Sequence, residues 1–68
     1  MNTRVERRTT PSYGHLYMVY VDDEVALTKH LAMEHPGDVV PSYIDEFYTH
    51  DLDIRAVAVE AWSDWFDD

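Results

Sequence analysis

The sequence predicts one small α+β domain, with an N-terminal β-hairpin followed by two or three α-helices packed on one face of the hairpin. Three observations lead to this fold class. The first third of the chain is rich in β-branched and aromatic residues on either side of a turn segment. Carboxylates and a serine then stand where helices commonly start, and apolar residues recur at helical spacing after residue 43.

A length of 68 residues allows one domain, because a chain this short buries only about 60% of its unfolded surface. A hydrophobic content of 46%, including nine aromatic residues, predicts that the chain folds. We expect a single acidic domain over residues 1–68, with frayed ends at residues 1–3 and 67–68.

The hairpin is predicted between residues 3 and 21. Thr3–Thr10 alternates Val5 with charged neighbours, which indicates an exposed edge strand. Residues 15–21 contain no helix or strand breaker and form the clearest strand of the chain. Both faces of that strand are apolar: one carries Leu16, Met18 and Tyr20, and the other carries Tyr17, Val19 and Val21. Helices can cover only one of them well, so the second face favours self-association.

The first helix is predicted to begin at the three carboxylates of residues 22–24, which complement a helix dipole. Leu27 and Leu31 lie one helical turn apart within it. Pro36 ends it by residue 34 or 35, since proline disfavours helical geometry in the residue before it.

A further helical region is predicted from Ser42 onward. Ser42 with Asp45 three residues later is a partial capping box, which places a helix start at residue 43. Residues 43–66 contain neither glycine nor proline, so one long helix is an alternative. We favour a break, because Asp51 or Asp53 supplies a second N-cap.

Charge is the most unusual feature of the composition. The net charge is −9, and residues 12–68 carry thirteen acids against only Lys29 and Arg55. Such a surface repels nucleic acid and anionic membranes and attracts basic proteins. We therefore expect a basic protein partner and no direct contact with nucleic acid or membrane. Acidity that serves only solubility is the alternative.

Several classes of site are excluded by composition. The absence of cysteine removes disulfides and thiolate chemistry and favours the cytoplasm. Two glycines cannot build a phosphate-binding loop, and so short a chain has little material for a desolvated cleft. We predict that the protein is not an enzyme and binds no cofactor.

Two histidines raise the question of a metal. The spacing of Leu27, His30 and His35 resembles that of the helix in zinc fingers with two cysteines and two histidines. Gly14 and Tyr17 stand where that family places its cysteines, and neither binds zinc. We predict no metal site; His30 and His35 are the weak ligand candidates, with His15 as a third ligand and an aspartate as the fourth.

The C-terminal segment combines aromatic and acidic residues more densely than the rest. On a helix, Trp62, Trp65 and Phe66 share one face, either as the core of the domain or with Trp65 or Phe66 exposed as an interface anchor. The predicted partner-binding residues are Asp45, Glu46, Glu60, Asp64, Trp65, Phe66, Asp67 and Asp68.

In size and charge the chain resembles small, acidic, cysteine-free proteins of viruses and mobile elements that block nucleic-acid-binding proteins by imitating phosphate charge. The resemblance implies an inhibitor that occupies a basic site, such as that of a nucleic-acid-binding enzyme. The alternative is a structural or assembly protein that forms a homodimer through its hairpin, with acidity serving solubility only.

Overall fold

The computed structural model describes residues 1–11, 14–32 and 42–67. Within these ranges the chain forms a four-stranded antiparallel sheet, in the order β1-β2-β3-β4, and a single C-terminal helix. The elements are β1 (Thr3–Thr10), β2 (Gly14–Val21), β3 (Glu24–Ala32), β4 (Ser42–Phe47) and α1 (Leu52–Phe66).

The predicted hairpin of β1 and β2 is confirmed. The two strands pair antiparallel from Thr3 opposite Val21 to Thr10 opposite Gly14. Gly14 has a φ of 86°, a left-handed conformation that glycine adopts without a Cβ clash at the point where the chain enters β2.

The helix predicted to begin at residues 22–24 is wrong. Asp22 and Asp23 have φ angles of 51° and 67°, the pattern of a two-residue type I′ hairpin turn, and Glu24 already pairs with Val21 as the first residue of β3. The Asp22 carboxylate accepts a hydrogen bond from the Asn2 N–H at 2.9 Å, which ties the turn to the strand start. The predicted end of that helix near Pro36 lies outside the described residues.

The helix predicted to start at residue 43 is also wrong, because Ser42–Phe47 pairs with β3, with Leu27 opposite Phe47. Pairing with the free edge of β3 outweighs a partial capping box. The predicted N-cap at Asp51 is confirmed: its carboxylate accepts hydrogen bonds from the N–H groups of Asp53 and Ile54 at 2.9 and 3.2 Å. The predicted break between two helices is instead the junction between strand β4 and α1. The described residues therefore form one helix instead of the two or three that the sequence predicted.

The core lies between α1 and one face of the sheet. β3 carries a bulge, since Val19 pairs with Leu27 but Tyr20 pairs with Val25, so Ala26 and Leu27 are both buried. The buried residues are Tyr17, Val19, Val21, Ala26, Leu27, Ala58 and Trp62. The opposite face of the sheet, here called the open face, carries no element among the described residues.

Candidate protein-binding surfaces

Four carboxylates form a line along α1, here called the acid row: Asp53, Glu60, Asp64 and Asp67. At 100° per residue they fall within about 60° of one another around the helix axis. All four are exposed, whereas Ala58 and Trp62, on the other side of the helix, are buried against the sheet. The acid row therefore faces away from the domain.

The acid row is not neutralised by the basic residues of the described chain. The ion pairs found there join Arg4 to Glu6 and Asp23 and join Lys29 to Asp45. Arg55, the basic residue of α1, turns toward the domain: its Nε donates to the Thr49 carbonyl oxygen at 2.6 Å, and its guanidinium lies 4.9 Å from the Phe47 ring centre. The outer side of α1 keeps its negative charge.

Asp53 lies in the first turn of α1 and complements the helix dipole, but the other three members of the acid row do not stabilise the helix that carries them. Glu60 and Asp64 are a like-charge pair four residues apart, and Asp64 and Asp67 are one three apart; each such pair costs an isolated helix about 0.2–0.5 kcal/mol. The last turn contains no basic residue, so its acids also oppose the helix dipole. A contribution to helix stability therefore does not explain the positions of Glu60, Asp64 and Asp67.

Aromatic side chains cluster at the end of α1. The Trp62 ring packs edge-on against Tyr17 at 4.8 Å, and Phe66 stacks on Trp62 at 5.3 Å. Exposure divides the cluster: Trp62 is 8% exposed, Trp65 39% and Phe66 55%. Trp62 thus belongs to the core. Trp65 packs at the edge of the core, with its ring centre 5.4 Å from that of Tyr17 and 5.7 Å from that of Trp62, and Phe66 is more than half exposed at the end of α1.

The structure separates the two predicted site residues of β4. Asp45 points to the α1 side of the sheet and pairs with Lys29 at 3.0 Å. Glu46 lies on the open face, where its carboxylate accepts a hydrogen bond from the Tyr48 hydroxyl at 3.1 Å. Of the predicted residues on α1, Glu60, Asp64 and Asp67 share its outer side and Phe66 is exposed at its end, whereas the Trp65 ring packs against Tyr17 and Trp62. Asp68 lies outside the described residues.

The sequence prediction missed three exposed residues of α1. Asp53 belongs to the acid row, and Leu52 and Val59 are exposed apolar residues of the same helix. Asp53 lies seven residues before Glu60, Val59 seven before Phe66 and Leu52 fourteen before Phe66, and this heptad spacing from the predicted group was the signal that could have identified them.

The open face contains a second exposed apolar surface. Its concavity of about 470 Å³ is lined mainly by apolar and uncharged side chains around Leu16 and Ile44, and Ile44 is 61% exposed. Sequence reasoning missed Ile44 and Tyr48 as surface residues of a sheet because it assigned residues 43–48 to a helix.

The histidines do not form a metal-binding cluster within the ranges that the structure describes. His15 shares a hydrogen bond with the Thr9 hydroxyl at 2.8 Å. His30 lies in strand β3 rather than in a helix, so the likeness to a zinc-finger helix is wrong. His35 lies outside the described residues.

Comparisons of this chain with protein-family models, with curated proteins and with solved structures give no match. Within the described residues, no helix combines the length and the apolar character that crossing a membrane requires.

Proposed function

We propose that this chain is a protein-binding module whose acid row engages a basic, nucleic-acid-binding site on a partner protein and inhibits it by charge mimicry. The observation that carries the proposal is the line of unneutralised carboxylates on α1, a helix whose C-terminal end also exposes more than half of Phe66 and part of Trp65. Charge accelerates and orients the encounter, and the aromatic rings supply apolar contact area. We place this activity in the cytoplasm, in line with the cysteine-free sequence.

The spacing of the acid row supports mimicry of a phosphate backbone. From Glu60 to Asp64 to Asp67 the helix rises about 6 Å and then about 4.5 Å. A nucleic acid also presents closely spaced negative charges along its axis, although at regular intervals. A partner built to neutralise phosphates with lysine and arginine would meet a comparable line of charge on α1.

The test compares two variants that each remove three negative charges. The helix-acid variant carries Glu60→Gln, Asp64→Asn and Asp67→Asn, which are three of the four members of the acid row. The turn-acid variant carries Asp22→Asn, Asp23→Asn and Glu24→Gln, and asparagine tolerates the left-handed conformation of the turn. The two have equal net charge, so a difference between them reports where the charge lies.

Each immobilised protein is used to capture proteins from a lysate at about 50 mM and about 500 mM salt, which shortens the Debye length severalfold. We expect the parent and the turn-acid variant to capture the same basic proteins at low salt and the helix-acid variant to lose them. Duplex DNA or RNA added in excess should displace those proteins, because it occupies the same site. Equal capture by both variants would contradict the proposal and leave solubility as the role of the acidity.

Self-association is the second candidate function, and the open face favours it. Ile44 and the apolar concavity beside it remain exposed. By the strand register, Arg4 and Arg8 lie on this face together with Glu6 and Glu46, so its charge is balanced although the chain carries −9. Two copies can therefore meet here without the repulsion that the rest of the surface imposes.

The open face is small for an interface. Four strands about 4.8 Å apart and about 27 Å long bury roughly 1,000 Å² in total, the low end for specific complexes. We expect a weak dimer at high micromolar concentration in sedimentation velocity. Ile44→Glu should abolish it, whereas Val59→Glu on α1 should not. A parent protein that stays monomeric at that concentration would contradict this candidate.

A further inference from the structure

The outer side of α1 carries an exposed line of residues that follows the spacing of a coiled coil. Leu52, Val59 and Phe66 are seven residues apart and are 75%, 44% and 55% exposed. Ala56 and Ser63, also exposed, stand between them, so successive steps are four, three, four and three residues. These five residues are here called the seam. Large side chains alternate along it with small ones.

The acid row has a fixed position relative to the seam. When Leu52, Val59 and Phe66 are numbered as heptad position d, Ala56 and Ser63 fall at position a. Every e position of the helix is then acidic, and these positions are Asp53, Glu60 and Asp67. In coiled coils the charges at e and g positions determine which helix pairs with which.

We propose that the partner contributes a basic amphipathic helix, which packs along the seam with its lysine or arginine side chains against the three e-position carboxylates. The inference rests on the proposed function and names the element of the partner that α1 binds. A seam of 15 residues extends about 22 Å, enough for two heptads of contact. The small side chains of Ala56 and Ser63 leave holes that large apolar side chains of the partner can fill.

A second copy of this chain fits the seam poorly. Antiparallel packing of two α1 helices would oppose e positions with e positions, and so acids with acids. Parallel packing would oppose the acids with the g positions, Arg55 and Trp62. Arg55 is bonded to the Thr49 carbonyl and Trp62 is buried, so neither reaches outward. Charge complementarity therefore selects a basic helix of another protein.

The test uses two synthetic peptides of about 21 residues, three heptads, as probes. The periodic peptide carries leucine at d, alanine at a, lysine at e and g, and glutamine elsewhere. The shuffled peptide has the same composition in an order without heptad periodicity. Calorimetric titration of the full chain should give at least about tenfold tighter binding of the periodic peptide, because only that peptide presents an apolar stripe and a lysine flank together.

Two variants locate the contact. Leu52→Gln combined with Val59→Gln removes seam apolar surface while keeping good helix formers and the net charge, and we expect it to lose at least about tenfold in affinity for the periodic peptide. Ile44→Gln removes a comparably exposed apolar side chain from the open face and should bind like the parent.

The outcomes separate this inference from the proposed function. Equal, salt-sensitive binding of both peptides would overturn the helix inference and leave charge-driven binding intact. Unchanged affinity in the seam double variant would also overturn it. Periodic-peptide binding that survives in the helix-acid variant and at high salt would instead contradict the electrostatic function while supporting the seam. Absence of binding to either peptide would overturn both.

Discussion

Trp62 and Phe66 stand four residues apart on α1 and touch each other, yet they have different roles. Trp62 is 8% exposed and packs on Tyr17, whereas Phe66 is 55% exposed and covers only the outer face of Trp62. The sequence predicted a shared aromatic face but could not divide it, because the division depends on where the helix ends relative to β2. Trp62 is therefore part of the core, and Phe66 is available for binding.

We therefore predict that Trp62→Ala lowers the free energy of unfolding by about 3–5 kcal/mol, the usual cost of removing a large buried aromatic side chain. Phe66→Ala should cost less than about 1 kcal/mol, since its ring is more than half exposed. Urea denaturation of both variants measures the difference. Similar losses for the two would mean that Phe66 belongs to the core and would remove it as a binding anchor.

At the level of single residues, the roles that depend on neighbouring sequence could be predicted. Residue type and position narrowed the N-cap to Asp51 or Asp53, and the structure shows that the Asp51 carboxylate accepts hydrogen bonds from the first N–H groups of α1. Such a cap needs only its own neighbours in sequence. The concentration of acids in the C-terminal segment could also be predicted, because it is visible in the composition of that segment.

The turn between β2 and β3 shows why elements were harder to predict than residues. Aspartates at a helix start and aspartates in a type I′ turn look alike in sequence. The β3 bulge adds to the ambiguity, because Ala26 and Leu27 both face the core and break the alternation expected of a strand. Residues 24–32 form a strand because they pair with β2 and β4. This pairing depends on segments that are distant in sequence.

Substitutions at Asp23, whose backbone is left-handed, provide a test of the turn. Its φ of 67° is a conformation that glycine adopts more readily than aspartate. We predict that Asp23→Gly raises the free energy of unfolding by up to about 1 kcal/mol and that Asp23→Val lowers it by more. Thermal denaturation distinguishes the two. A helix at this position would give the opposite order, because valine is tolerated in helices better than glycine.

At the scale of the whole molecule, the sheet and helix give the chain two different exposed surfaces. α1 carries the acid row and the seam on its outer side, and the open face carries balanced charge and an apolar concavity. The sequence predicted both features separately, as acidity and as a strand with two apolar faces. It also predicted that helices cover only one face of the hairpin, but it could not describe the open face, because it assigned the residues of β3 and β4 to helices.

The net charge of −9 gives the last prediction, for stability as a function of salt. At about 0.01 M salt the Debye length is about 30 Å, comparable to the molecular dimensions of 39 × 25 × 17 Å, so repulsion acts across the whole domain. At about 1 M it is about 3 Å and that repulsion is screened. We expect the melting temperature to rise with salt, by about 4–8 °C for each kcal/mol of repulsion removed.

The helix-acid variant should melt higher than the parent at low salt and respond less to added salt, because three of the repelling charges are gone. A parent melting temperature that stays flat or falls between these salt concentrations would contradict strong self-repulsion. The direction of this salt effect on the melting temperature also matters for function. Salt should stabilise the fold while it weakens binding to a basic partner, so a partner released at high salt leaves a protein that is more stably folded, and its release reports lost attraction rather than unfolding.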